Sequence, residues 1–151
     1  MKKLCGIFWF LLPVCLVVIA DEVLKHISLN KLPDEGSLVN PGFLSFAIHK
    51  NWGVAFDIPL NFQLMLIASF VIGCLLLWLA RKNLKTNPLI SFALFIIVLG
   101  ALGNLFDRVF YGFTVDYLIL FGRSAFNLSD LIIIFGVLIL FFSKKSRQTR
   151  T

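Results

Sequence analysis

Asp116 and Asp130 flank a short apolar stretch, in the segments Thr114-Val-Asp-Tyr117 and Phe126-Asn-Leu-Ser-Asp130. A third acid, Asp107, closes the segment Gly100-Ala-Leu-Gly-Asn-Leu-Phe-Asp-Arg108. Two carboxyl groups held close together cannot both ionise easily, so one keeps a proton while the other accepts one. Such a pair can take a proton from water and protonate a leaving group, with neither a metal nor a Ser nucleophile. Spacing along the chain leaves open which two acids meet.

The neighbouring polar residues each have a local structural reading as well. Asn104, Asp107 and Arg108 stand at i, i+3 and i+4, which lets Asn104 face a pocket while Asp107 and Arg108 pair at a helix end. Asn127 and Asp130 have the spacing of a helix cap and its third position, close to a capping box. Asp21 and Lys25 are four apart, share a helix face and form an ion pair closing the first apolar run. Asn51-Trp-Gly-Val-Ala-Phe56 reads as a turn, with Gly53 permitting close backbone approach.

The elements that must carry these groups are written in the hydrophobicity. Of 151 residues, 59% are hydrophobic, and the mean hydropathy of +0.92 is too high for an ordinary soluble domain. Four apolar runs, at about 4–24, 60–80, 88–107 and 126–143, are each near the roughly 20 residues a spanning helix needs. The expected fold is an all-α membrane protein, one domain over residues 1–151, with four transmembrane helices. A small β-like external segment, about 25–59, joins the first and second spans. A second external stretch, Arg108 to Ala125, reads as a surface-lying segment at the lipid boundary.

Charge sets the orientation. Lys2, Lys3, Arg81, Lys82, Lys85, Lys144, Lys145, Arg147 and Arg150 fall on one side if both termini are cytoplasmic, as the positive-inside rule demands. The net charge of +6 is therefore topological, and no nucleic acid partner is expected. With a helical rise of about 1.5 Å per residue, Asp21, Asn104, Asp107 and Asp130 all reach one outer-leaflet layer. Ions exposed to hydrocarbon there are costly, so these groups should face each other or a wet cavity.

Other classes are disfavoured. Cys5, Cys15 and Cys74 lie inside apolar runs, and His26 and His49 stand apart, so neither a disulfide framework, a metal site nor a cofactor is expected. Met1 to Ala20 has the basic start and apolar run of a signal peptide, but useful polar residues follow at once, so it reads as a retained span. A proton-coupled transporter using the acids as a relay is the alternative, though no inverted repeat is visible. A non-catalytic assembly factor, its acids only tying helices together, is a further one.

Taken in order, Asp21-x-x-x-Lys25, Asn51-x-Gly-x-Ala-Phe56, Gly100 to Arg108, Val115-Asp-Tyr117 and Phe126 to Asp130 resemble the lipoprotein signal peptidases, or signal peptidase II. The resemblance implies a monomeric aspartyl endopeptidase of the bacterial inner membrane, with its active site near the outer face. It would cut prolipoprotein signal peptides just before the lipid-modified cysteine, beside membrane lipid. It implies Asp116 and Asp130 as the catalytic pair, with Asn51, Gly53, Asn104, Arg108 and Asn127 binding substrate. Asp21, Lys25 and Asp107 would support them, Asp107 being the runner-up catalytic acid. Phe43, Phe46 and Phe56 of the first external segment would cover the substrate. Two positions depart from the pattern: Glu22 stands where Gln is usual and Ser129 where Ala is usual.

Overall fold

The computed structural model describes residues 2–39, 42–54 and 58–148. Phe56 and Arg150 lie outside the described residues. Helix α1 spans Lys2–Lys31, α2 Phe62–Asn83, α3 Pro88–Tyr111 and α4 Leu128–Gln148. Strand β1 is Leu44–Asn51, β2 Thr114–Leu120 and β3 Ser124–Phe126.

Helix ends follow their local chemistry. Asn61 caps α2, its side chain accepting from the backbone N–H groups of Gln63 at 3.0 Å and Leu64 at 3.2 Å. Pro88 opens α3, where its missing N–H costs nothing, and Gly112 closes it at φ 85°, a left-handed position that suits glycine. Helix α1 runs further than its apolar stretch. Its polar turn at Asp21 and Lys25 lies inside the helix, because the two charges pair and no Gly or Pro follows before Pro33.

Helix α3 is central and packs against α1, α2 and α4. Glycines bring α3 and α4 together. A Cβ on Gly100 would fall 2.7 Å from the Ser129 carbonyl oxygen, and one on Gly136 would fall 2.6 Å from Ile97 Cγ1. Side chains such as Trp9, Phe70, Trp78, Phe110 and Phe141 point outward and are exposed. Helices α2 and α3 are long and apolar enough to cross a membrane, and α4 carries a shorter apolar stretch, Leu128–Ser143.

The strands correct the expectation for the external segments. They form one antiparallel sheet in the order β1-β2-β3, so the stretch after α3 contributes two strands that pair with the first external segment. Thr114 to Leu120 is rich in β-branched and aromatic residues, and its alternation is served on both faces. Val115 and Tyr117 pack with Ile48 in a small core, while Thr114 and Asp116 turn to the opposite face. The last helix also starts later than its apolar run. Phe126 belongs to β3, and α4 begins at Leu128.

Candidate active site

Three segments converge on Asn127. Its Nδ2 donates to Asp116 Oδ1 at 2.7 Å, to Asn104 Oδ1 at 3.0 Å and to the Val115 carbonyl at 3.3 Å. Its Oδ1 accepts the Asp130 backbone N–H at 2.9 Å, and Asp130 Oδ2 accepts the Asn127 backbone N–H at 3.3 Å. This is the reciprocal capping box expected from the spacing, with a further task, because the cap also holds Asp116. Asn104 Nδ2 donates to Asp130 Oδ1 at 2.7 Å, and Asn51 Nδ2 to Asp116 Oδ2 at 3.2 Å. The acids of β2 and α4 are thereby fixed relative to each other by amides from three other places in the chain.

Asp116 and Asp130 both line a cavity of about 450 Å3. One part of its wall is polar, made of Asn51, Asn104, Arg108, Thr114 and the two acids. The rest is apolar, with Met65, Ile72 and Leu76 of α2 facing Val98 and Leu102 of α3 and Ile133 and Ile134 of α4. Burial pushes the Asp116 carboxyl up to about 7, and the neighbouring Asp130 charge adds to this. Bonds from Asn51 and Asn127 and the charge of His49 pull the other way.

The remaining polar residues form a frame behind the cavity wall. Lys25 is fully buried, its Nζ 3.2 Å from Asp21 Oδ2, 3.0 Å from Glu22 Oε1 and 2.8 Å from Asp107 Oδ2. Asp21 reaches across from α1 to the start of α4, accepting the backbone N–H groups of Leu128 at 3.1 Å and Ser129 at 3.0 Å. Tyr117 and Ser129 hydroxyls also donate to it, at 2.7 and 2.6 Å. Asp107 accepts the Val115 backbone N–H at 3.1 Å, which ties α3 to β2 one residue before Asp116.

Arg108 does not pair with Asp107, contrary to the expectation from their adjacency. Neighbouring helical residues diverge by about 100°, and Arg108 turns to the cavity, donating to the Gly53 carbonyl at 3.1 Å and the Asn104 carbonyl at 3.3 Å. Gly53 thus anchors the turn after β1 to α3, its N–H held by Asn51 Oδ1 at 3.1 Å. Asn51, Asn104 and Arg108 reach the cavity wall, whereas Gly53 and Asn127 lie behind it. Tyr117 and Ser129 carry structural work that spacing alone did not assign. Reading Thr114 to Leu120 as a strand would have placed Tyr117 opposite in face to Asp116, against the helices.

Helices long and apolar enough to cross a membrane pack around a cavity whose polar wall carries two carboxyl groups, an arrangement suited to hydrolysis within a membrane protein. A solved bacterial membrane enzyme shares the fold, with a TM-score of 0.82 and 26% identity over 93% of this chain and 90% of that one. The chain belongs to the signal peptidase II family and is a peptidase: the family described as Signal peptidase (SPase) II matches residues 13–144. The lipoprotein signal peptidase of Moorella thermoacetica is 35% identical over 133 residues, covering 87% of this chain and 89% of that protein. That of Ectopseudomonas mendocina is 34% identical over 144 residues, covering 87% and 84%.

Proposed function

We propose that the protein removes signal peptides from diacylglyceryl-modified prolipoproteins, cutting just before the lipidated cysteine with Asp116 and Asp130 as the catalytic pair. The observation that carries this is the hydrogen bonding of Asn127 to both acids at the wall of one cavity. Asp116, which keeps its proton into the neutral range, serves as the acid, and Asp130 serves as the base. Asp130 takes a proton from water as the oxygen attacks the scissile carbonyl, and the tetrahedral carbon collapses as Asp116 protonates the departing amine. The signal peptide leaves with a new C-terminal carboxylate that carries the water oxygen, and the lipidated cysteine of the product gains a free amino terminus.

The two-part wall supports the same reading. The peptide bond lies against the amides and acids, and apolar substrate atoms lie along α2 and α4. Asn51, Asn104 and Arg108 contact the peptide, while Asn127 and Gly53 position those that do. Lys25, Asp21 and Asp107 hold the helix ends and the strand that carry the pair. In this reading the chain is a single monomeric domain with four spans and both termini cytoplasmic, in the bacterial inner membrane. The sheet and acids then lie at the outer face, beside lipid. A transport role is not favoured for a chain of a peptidase family.

The test is processing of a purified lipid-modified preprotein in detergent. Asp116→Asn and Asp130→Asn should each lower turnover by at least about a hundredfold while remaining folded, the scale of a lost general acid or base. Robust turnover by either variant removes that acid from the pair. Asp107→Asn separates the two roles of the acids: it should lose thermal stability in proportion to any lost turnover, since Asp107 holds Lys25 and the Val115 N–H.

A further inference from the structure

A histidine lies against the catalytic pair from the sheet side. In the β1–β2 ladder His49 stands directly opposite Asp116, as Asn51 does opposite Thr114. Opposed residues of an antiparallel pair send their side chains to the same face, with Cβ atoms about 5 Å apart. The imidazole is therefore a neighbour of the Asp116 carboxyl.

The register that creates this pairing is not the one with which β1 begins. Leu44, Ser45 and Phe46 pair with Leu120, Ile119 and Leu118, and a bulge between Phe46 and His49 then adds one residue on β1. Without it Ile48, not His49, would face Asp116. Bulges beside active sites re-aim side chains, and this one replaces a hydrocarbon neighbour with an ionisable one. Ile48 is turned away into the small core with Val115 and Tyr117.

The ring is also held from outside. Its Nδ1 lies 2.6 Å from Oε1 of Glu35, on the 3-10 turn Glu35–Ser37. That turn is attached to β1 by the Ile48 N–H, which donates to the Pro33 carbonyl at 2.8 Å, and by a bridge between Asp34 and Ile48. Glu35 is exposed, His49 partly buried and Asp116 buried, so burial deepens from Glu35 through His49 to Asp116.

We propose that His49 is a positioning residue for the reaction: held by Glu35 and opposed to Asp116 across the sheet, its ring sets the proton balance of Asp116 and couples the site to the pH outside the membrane. This rests on Asp116 being one of the catalytic pair. The other charged groups around it are Asp34 on the segment packed against β1, Asp130 on α4 and Arg108 on α3, which interacts with both acids. Lys50 points away, lying 5.9 Å from the Phe113 ring centre.

The experiment is the pH profile of kcat for cleavage of a diacylglyceryl-modified preprotein by the purified full-length protein. Wild type, His49→Gln, His49→Lys and Glu35→Gln are compared over about pH 5 to 8. His49→Gln should move the alkaline limb up by about half to one pH unit, because a cation favouring ionised Asp116 has gone. His49→Lys, which keeps a cation, should bring the limb back toward wild type. Glu35→Gln should shift it upward by less. An alkaline limb that stays in place in His49→Gln overturns the proposal, as does equal loss in the Gln and Lys variants at every pH. Should His49→Gln fail to fold, Glu35→Gln decides, since it alters only an exposed side chain. A wild-type protein that leaves the preprotein intact would instead refute the proposed function.

Discussion

Replacing Asn127 by alanine removes a side chain bonded to both acids, and the structure sets the scale of the effect. The cap on the Asp130 N–H disappears, which costs about 0.5–2 kcal/mol. Asp116 Oδ1 loses its shortest donor inside a buried site, which costs a further 1–3 kcal/mol or so. Asn104 Oδ1 loses a 3.0 Å donor and keeps the longer contact from Lys25 at 3.5 Å. The sum is roughly 3 kcal/mol, a large part of the 5–15 kcal/mol that usually separates folded from unfolded chains. Because Asn127 lies behind the cavity wall, substrate affinity should change little. The acids lose their mutual placement, so kcat should fall by about a hundredfold, the cost of a misplacement near 1 Å. The alkaline limb of the pH profile should also rise, since an amide that favours ionised Asp116 has been removed. Steady-state cleavage of a lipid-modified preprotein, with thermal unfolding in the same detergent, measures both effects. A folded Asn127→Ala enzyme with kcat within threefold of wild type would refute the view that this amide organises the pair; the threefold limit lies well below the roughly hundredfold expectation.

Stability should itself depend on pH through Asp116. The folded chain keeps that proton up to about pH 7, whereas an unfolded carboxyl releases it near 3.8, so the folded state binds the extra proton between these values. Stability should therefore decrease as pH rises through that window, by about 4 kcal/mol at most, and Asp116→Asn should remove this contribution. Unfolding midpoints of the two proteins across the window check it, and parallel curves would contradict it. Gly100→Ala tests the helix contact that sets the distance between Asn104 and Asp130. Its Cβ would lie 2.7 Å from the Ser129 carbonyl oxygen and 2.8 Å from Ile133 Cγ1, so α3 and α4 must separate, at a cost of about 1–3 kcal/mol. Turnover should fall with stability, and an unchanged melting temperature would show that the two helices are less tightly seated.

Much of the site was legible because polar residues are expensive among apolar ones. The hydrophobic runs located the helices, and depth along them put Asp21, Asn104, Asp107 and Asp130 in one layer. Asn127 and Asp130 could be read as a capping box because that motif is closed within one turn. Asp21 and Lys25 could be paired for the same reason. The strand after α3 was less legible, since its β-branched residues are buried on both faces and show little of the period-two polarity of a half-exposed strand.

The sequence by itself determined which residue types stand at the ends of the apolar runs, and the ordered motifs pointed to the family. It also determined the Asp21–Lys25 pair and the Asn127–Asp130 capping box, whose partners lie within four positions of each other. Only the tertiary structure decided which acids share a cavity: Asp107 is drawn to Lys25 and the Val115 N–H, and Asp116 to Asn51 and Asn127. It also decided that the bulge in β1 sets a histidine opposite Asp116. The physical reason is that strand register and helix contact depend on which buried donors and acceptors find partners across the fold, and those partners are far apart along the chain.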